Sequence, residues 1–105
     1  MDYKSADILA KLSGIIEDRK GADASSSYVA SLFEKGTEKM AQKVGEEGVE
    51  LALAAVLDGK VVSEAADLLF HMMILLRAKG YSLDDVAAEL AAREGVSGID
   101  EKANR

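Results

Sequence analysis

Glu64-Ala65-Ala66-Asp67-Leu68-Leu69-Phe70-His71-Met72-Met73-Ile74-Leu75-Leu76 decides the fold. Beyond Asp67 the segment leaves almost no angle of a helical wheel free of apolar side chains, the mark of a largely enclosed helix. One narrow polar stripe remains, made of Glu64, Asp67 and His71 at i, i+3 and i+7 on a single face. Met72 and Met73 read as core filler, and His71 as a hydrogen-bonded interior histidine rather than a ligand. No proline occurs in the chain. Strand-like alternation is missing, and Ala, Leu, Glu, Lys and Met, the residues that lose least on entering a helix, dominate. These features predict an all-α fold.

Working outward, this helix runs from Val61 to Lys79 and stops at Gly80, and Asp58-Gly59 makes a tight turn before it. Upstream, Thr37 is placed to cap a long helix lasting to Leu57. The two should fold back as an antiparallel αα-hairpin. A hairpin centred on that turn sets Glu50 level with Asp67, Leu53 opposite Glu64 and Phe70 opposite Glu47. Four carboxylates then fall within about two helical turns, each turn rising about 5.4 Å. The acids should border buried surface, because Leu53, Ala54 and Leu57 continue their face. Gly45 and Gly48 inside the helix cost stability relative to alanine, and close approach of a neighbouring helix or of substrate would account for them. Three further helices complete a set of about five. One spans Ser5 to Lys20, one follows the Ser25-Ser26-Ser27 cap cluster and ends at Gly36, and one runs from the Ser82/Asp85 capping box to about Arg93. The tail 95–105 is expected to be mobile or docked on a partner.

At 105 residues with 49% hydrophobic content, the chain reads as one domain, 1–105, with enough apolar area for a core. Thirteen Lys plus Arg against nineteen Asp plus Glu leave a net charge of -6, the wrong sign for a nucleic-acid binder. The apolar runs are too short for a bilayer, and the opening MDYKSADILAKL lacks a leader's apolar core, so no membrane association and a cytoplasmic location are expected. Cysteine is absent and there is one histidine, which removes thiolate chemistry, Cys-ligated zinc and multi-His metal sites.

Any metal must therefore be held mainly by oxygen. Carboxylates converging beside apolar surface repel and lose hydration, and protonation, pairing with bases or a bound cation can relieve them. Lys43, one turn from Glu47, and Lys60, one turn from Glu64, are too few to neutralise the set. An all-carboxylate site with open positions suits Mg²⁺, with Mn²⁺ as a substitute. A di-iron bundle needs Glu-x-x-His on two helices, which the chain lacks.

Glu46-Glu47-x-x-Glu50, then thirteen residues, then Glu64-x-x-Asp67 resembles the metal signature of the MazG-like all-α nucleoside triphosphate pyrophosphohydrolases. The flanking segments, from Ser27-Tyr28 through Lys35-Gly36-Thr37-Glu38-Lys39 and Gln42-Lys43-Val44-Gly45-Glu46-Glu47 to Gly80-Tyr81-Ser82-Leu83-Asp84-Asp85-Val86, are similar to those of the phosphoribosyl-ATP pyrophosphohydrolases of histidine biosynthesis. The resemblance implies a MazG-like helical bundle, a homodimer, and Mg-dependent hydrolysis of a nucleotide, phosphoribosyl-ATP, to phosphoribosyl-AMP and pyrophosphate. It implies that Glu47, Glu50, Glu64 and Asp67 hold the metal. Glu46 is the candidate for a second metal ligand or for orienting water, with Glu47 beside it in the catalytic pair. Lys43, Lys39, Lys35 and Tyr28 are candidate substrate contacts. The lack of the cyclohydrolase domain found fused in many relatives implies that the next step lies on another polypeptide. Two alternatives stay open: a (d)NTP pyrophosphatase of the same superfamily, and a non-catalytic helical interaction domain.

Overall fold

The computed structural model describes residues 4–94 and consists, over them, of five α-helices. They are α1 (Ser5–Arg19), α2 (Tyr28–Lys35), α3 (Thr37–Val56), α4 (Val61–Ala78) and α5 (Leu83–Ala92). The 95–105 tail lies outside the described residues. The dominant packing is between α3 and α4, the expected hairpin.

Backbone chemistry sets the ends of these helices. Ser27 caps α2, its hydroxyl accepting from the Ala30 N–H at 3.2 Å. At α5 the Ser82 N–H donates to Asp85 Oδ2 at 2.9 Å, the return half of the expected capping box. Thr37 is not the cap of α3: Gly36 stands there, at φ 95, and Thr37 is the first helical residue. A positive φ at the abrupt α2–α3 corner favours glycine, and this displaces the cap by one position. At the hairpin, Asp58 takes the left-handed conformation (φ 59), and the Gly59 N–H reaches back to the Ala54 carbonyl at 2.7 Å, a Schellman-type closure. A Cβ on Gly59 would stand 3.2 Å from Ala54 Cα, a tight contact that would make the last turn of α3 give by a few tenths of an ångström.

One side chain from each of α1 to α4 is almost wholly removed from water: Ile16, Leu32, Met40 and Ile74. Each such burial is worth about 1.5–3 kcal/mol, enough to fasten the short α1 and α2 onto the hairpin. The Glu17–Arg77 pair, Oε2 to Nε at 2.8 Å, adds a second tie between α1 and α4. Helix α5 buries no residue, and Leu83 alone of its side chains packs on the core.

Two expectations fail for a physical reason that they share. Only His71, Met73 and Ile74 of α4 are buried, while Leu68, Leu69, Phe70, Met72, Leu75 and Leu76 are half-covered. Leu53 and Leu57 do not continue a buried face beyond the acids either, being 52% and 72% exposed, although Glu47 itself is buried. The other four helices leave part of the circumference of α4 uncovered, and at the hairpin tip Val56, Leu57 and Val62 stay exposed. Gly45 and Gly48 also face open space, with nothing within 4 Å of a Cβ built on either, so no neighbouring helix of this chain explains them.

Candidate active site

The acids lie on the hairpin seam. Glu47 projects from the inner side of α3, and Glu64 and Asp67 stand one turn apart on α4. One carboxylate oxygen from each of the three lies within 4.8 Å of the others. Burial grades across the cluster: Glu47 is only 7% exposed, Glu64 is half-buried and Asp67 is open to solvent. Glu50, one turn further along α3, is exposed and acts on both Glu47 and Glu64. It lines an open depression of about 340 Å³ with Leu53, Leu57, Lys60 and Glu64.

The electrostatics follow from that placement. Burial first, then Glu50 and Asp67, raise the Glu47 carboxyl above its usual range, opposed by Lys43. Burial likewise pushes Glu64 up, reinforced by Glu50 and Asp67. Lys43 Nζ stands 3.9 Å from Glu47 Oε1, one cation against several acids. Lys60, one turn from Glu64 in sequence, lines the same depression. Glu47 Oε2 and Glu64 Oε2 are both fully enclosed and have no hydrogen-bond partner. Two enclosed acceptors without donors, set beside further carboxylates, are a donor set that fits a hard divalent cation of the Mg²⁺ type.

Glu46 is directed elsewhere. Successive helical residues diverge by about 100°, and its Oε1 accepts from Gln42 Nε2 at 2.7 Å while Oε2 lies 3.7 Å from Lys43 Nζ. The Gln42 hydrogen bond, with the charges of Lys43 and Lys39, holds its carboxyl below the usual range. Gln42 was not singled out in the sequence, although its i, i+4 spacing to Glu46 is the signal that finds it. Lys43 thus joins the two acids, Lys39 stands on the Glu46 side, and Lys35, exposed in the last turn of α2, is outside this charge set.

Tyr28 is brought to the site through His71. Its hydroxyl lies 2.8 Å from His71 Nε2, and the histidine, 7% exposed, places Nδ1 2.9 Å from the Asp67 carbonyl oxygen and 3.9 Å from Glu47 Oε1. The Tyr28 ring stacks on Phe70 at 6.3 Å and 21° and meets the His71 ring edge-on. His71 is the interior, hydrogen-bonded residue its position suggested. The 43-residue separation from Tyr28 leaves no local signal of the contact.

A model of the phosphoribosyl-ATP pyrophosphohydrolase family matches residues 9–94. The chain is similar to the phosphoribosyl-ATP pyrophosphatase of Erythrobacter litoralis, with 54% identity over 99 residues covering 92% of this chain and 95% of the relative. It is similar to that of Novosphingobium aromaticivorans, with 54% identity across 94% of each chain. The enzyme of Azorhizobium caulinodans shares 57% identity over 92% of this chain and 91% of its own.

Proposed function

The chain belongs to the phosphoribosyl-ATP pyrophosphohydrolase family, and from that premise we propose how its residues split phosphoribosyl-ATP into phosphoribosyl-AMP and pyrophosphate, the second step of histidine biosynthesis. The observation that carries the reading is the pair of enclosed, partnerless oxygens on Glu47 and Glu64 beside Asp67. Glu47, Glu50, Glu64 and Asp67 would hold Mg²⁺, or Mn²⁺ in its place. When bound, the metal would take triphosphate oxygens as ligands and offset the charge developing on the leaving pyrophosphate.

The protein's own groups do the rest. Glu46 is kept ionised and solvent-facing by Gln42 and Lys43, which suits it to orient the attacking water and take its proton, or to hold a second metal. Water oxygen bonds to phosphorus as the anhydride bridge breaks and pyrophosphate leaves. Lys43, Lys39 and Lys35 supply positive charge to phosphate oxygens, with Lys43 the best placed because it already stands between Glu46 and Glu47. Tyr28 is assigned to the substrate.

The homodimer is supported by the exposed apolar residues Val49, Leu53, Val56, Leu57, Val61 and Val62 along the hairpin and its tip, since exposed apolar surface of this kind marks interfaces. The chain should sediment as a dimer at micromolar concentration, and a well-behaved monomer would remove this part of the proposal. A cytoplasmic setting is in keeping with a biosynthetic hydrolase in which no described helix is long and apolar enough to cross a membrane.

The deciding experiment offers the protein phosphoribosyl-ATP and a panel of (d)NTPs with Mg²⁺ and follows pyrophosphate. We expect release from phosphoribosyl-ATP, abolished by chelation. Release only from the (d)NTPs would reassign the substrate, and none from any would leave a non-catalytic helical domain.

A further inference from the structure

The hydrogen bonds of His71 fix the direction in which Tyr28 can bond. A carbonyl oxygen only accepts, so the 2.9 Å contact with Asp67 places the proton of the neutral ring on Nδ1. Nε2 then offers only a lone pair. The 2.8 Å contact with Tyr28 is therefore the tyrosine O–H donating to Nε2. With its proton spent, the Tyr28 oxygen keeps only acceptor capacity, on a residue that is 50% exposed. The rings of Phe70 and His71, themselves in contact, both pack against the Tyr28 ring and hold the phenol in place.

Phosphate oxygens are acceptors as well, so a phenol in this state has nothing to offer a triphosphate. It also stands one imidazole away from the acids: His71 touches Tyr28 through Nε2 and approaches Glu47 Oε1 through Nδ1 at 3.9 Å. Resting on the functional reading above, we propose that His71 is a positioning residue and that Tyr28 is a specificity residue. Together they present a hydrogen-bond acceptor that reads a donor on the non-phosphate part of the nucleotide, either a sugar hydroxyl or the amino-type nitrogen of the base.

The test combines Tyr28→Phe, which keeps the ring and removes the acceptor, with His71→Leu and His71→Gln. Calorimetric affinity for phosphoribosyl-AMP is measured beside kcat and KM. For Tyr28→Phe, one lost hydrogen bond should raise Kd and KM roughly 5- to 10-fold, the scale of about 1 kcal/mol, with the loss falling on KM rather than kcat and the Mg²⁺-induced thermal shift kept. His71→Leu should raise KM similarly, and no further in the Tyr28→Phe background. His71→Gln, whose amide oxygen can accept the tyrosine proton, should recover most of the affinity. Nucleotides lacking a sugar hydroxyl or the base amino group separate the two donors: the one whose removal costs wild type as much as Tyr28→Phe, and costs Tyr28→Phe nothing more, is the group read. Unchanged affinity in Tyr28→Phe, or additive losses in the double variant, would overturn the proposal. A wild type that binds the nucleotide without turnover would defeat the functional reading alone, and the affinity arm would still decide this one; a wild type that does neither defeats both.

Discussion

Glu46 and Glu47 are neighbours on α3, yet the two faces that carry them are opposite environments. The Glu46 face is solvated and satisfied, with Gln42 and Lys43 on its carboxylate and the carboxyl held below its usual range. The Glu47 face is buried against α4, leaves one oxygen without a partner and raises the carboxyl. An acid's chemical role is set by what its hydration is exchanged for. Glu46 exchanges water for a hydrogen bond and a cation and gives up little. Glu47 exchanges water for apolar surface and more acids, and is left in a state that a cation relieves.

The largest expected effect separates the two faces directly. Glu47→Gln should lower pyrophosphohydrolase activity by more than roughly 100-fold, beyond what loss of an outer-shell partner usually costs, and should abolish the thermal stabilisation by Mg²⁺. Glu46→Gln should lower kcat while that stabilisation remains, because its carboxylate lies outside the three-acid cluster. Thermal melts and steady-state kinetics on the two variants check this. Full turnover by Glu47→Gln would remove the site assignment.

An intermediate effect concerns the metal in wild type. Mg²⁺ at about 100 times its Kd should stabilise the fold by about 2.7 kcal/mol through linkage, on the order of 10 °C in a domain this size. NaCl at matched ionic strength should recover much less, since close and partly buried charges are poorly screened. If both salts shift the melt equally, or if Asp67→Asn keeps the full Mg²⁺ shift, the two faces do not differ in the way described.

The smallest effect is the pH dependence of metal-free stability, and here the faces should have opposite signs. Glu47 and Glu64 ionise near 4.5 in the unfolded chain and higher in the folded one. Between those values the folded state binds more protons, so stability falls as pH rises through the window and the cost is absent below it. Glu46 has its folded pKa lowered; its small contribution is present above 4.5 and fades as pH falls through the lowered value, weakened by solvent screening. Metal-free Glu47→Gln should therefore be at least as stable as wild type at pH 7 and converge with it toward pH 4. Denaturant melts across that range would show a reversed trend if attraction to Lys43 outweighed burial and repulsion among the acids.

The sequence by itself determined the helical class, the five elements and the hairpin. Helical periodicity, caps and turn glycines are local, and the observed spans Thr37–Val56 and Val61–Ala78 fall within a residue of those read from the pattern. It also brought acids of both helices onto one seam, although the register read from the turn set Glu50 level with Asp67 and Phe70 opposite Glu47, whereas it is Glu47 whose carboxylate meets those of Glu64 and Asp67. What only the tertiary structure decided is the state of each group. Glu47 could not be distinguished from Glu46 until α4 covered one and Gln42 reached the other. The Tyr28–His71 bond depends on where α2 lands on α4, and the open space at Gly45 and Gly48 depends on where no helix lands. Burial and hydrogen-bond partnership depend on side chains distant in the chain, and a pattern that repeats every 3.6 residues carries no record of them.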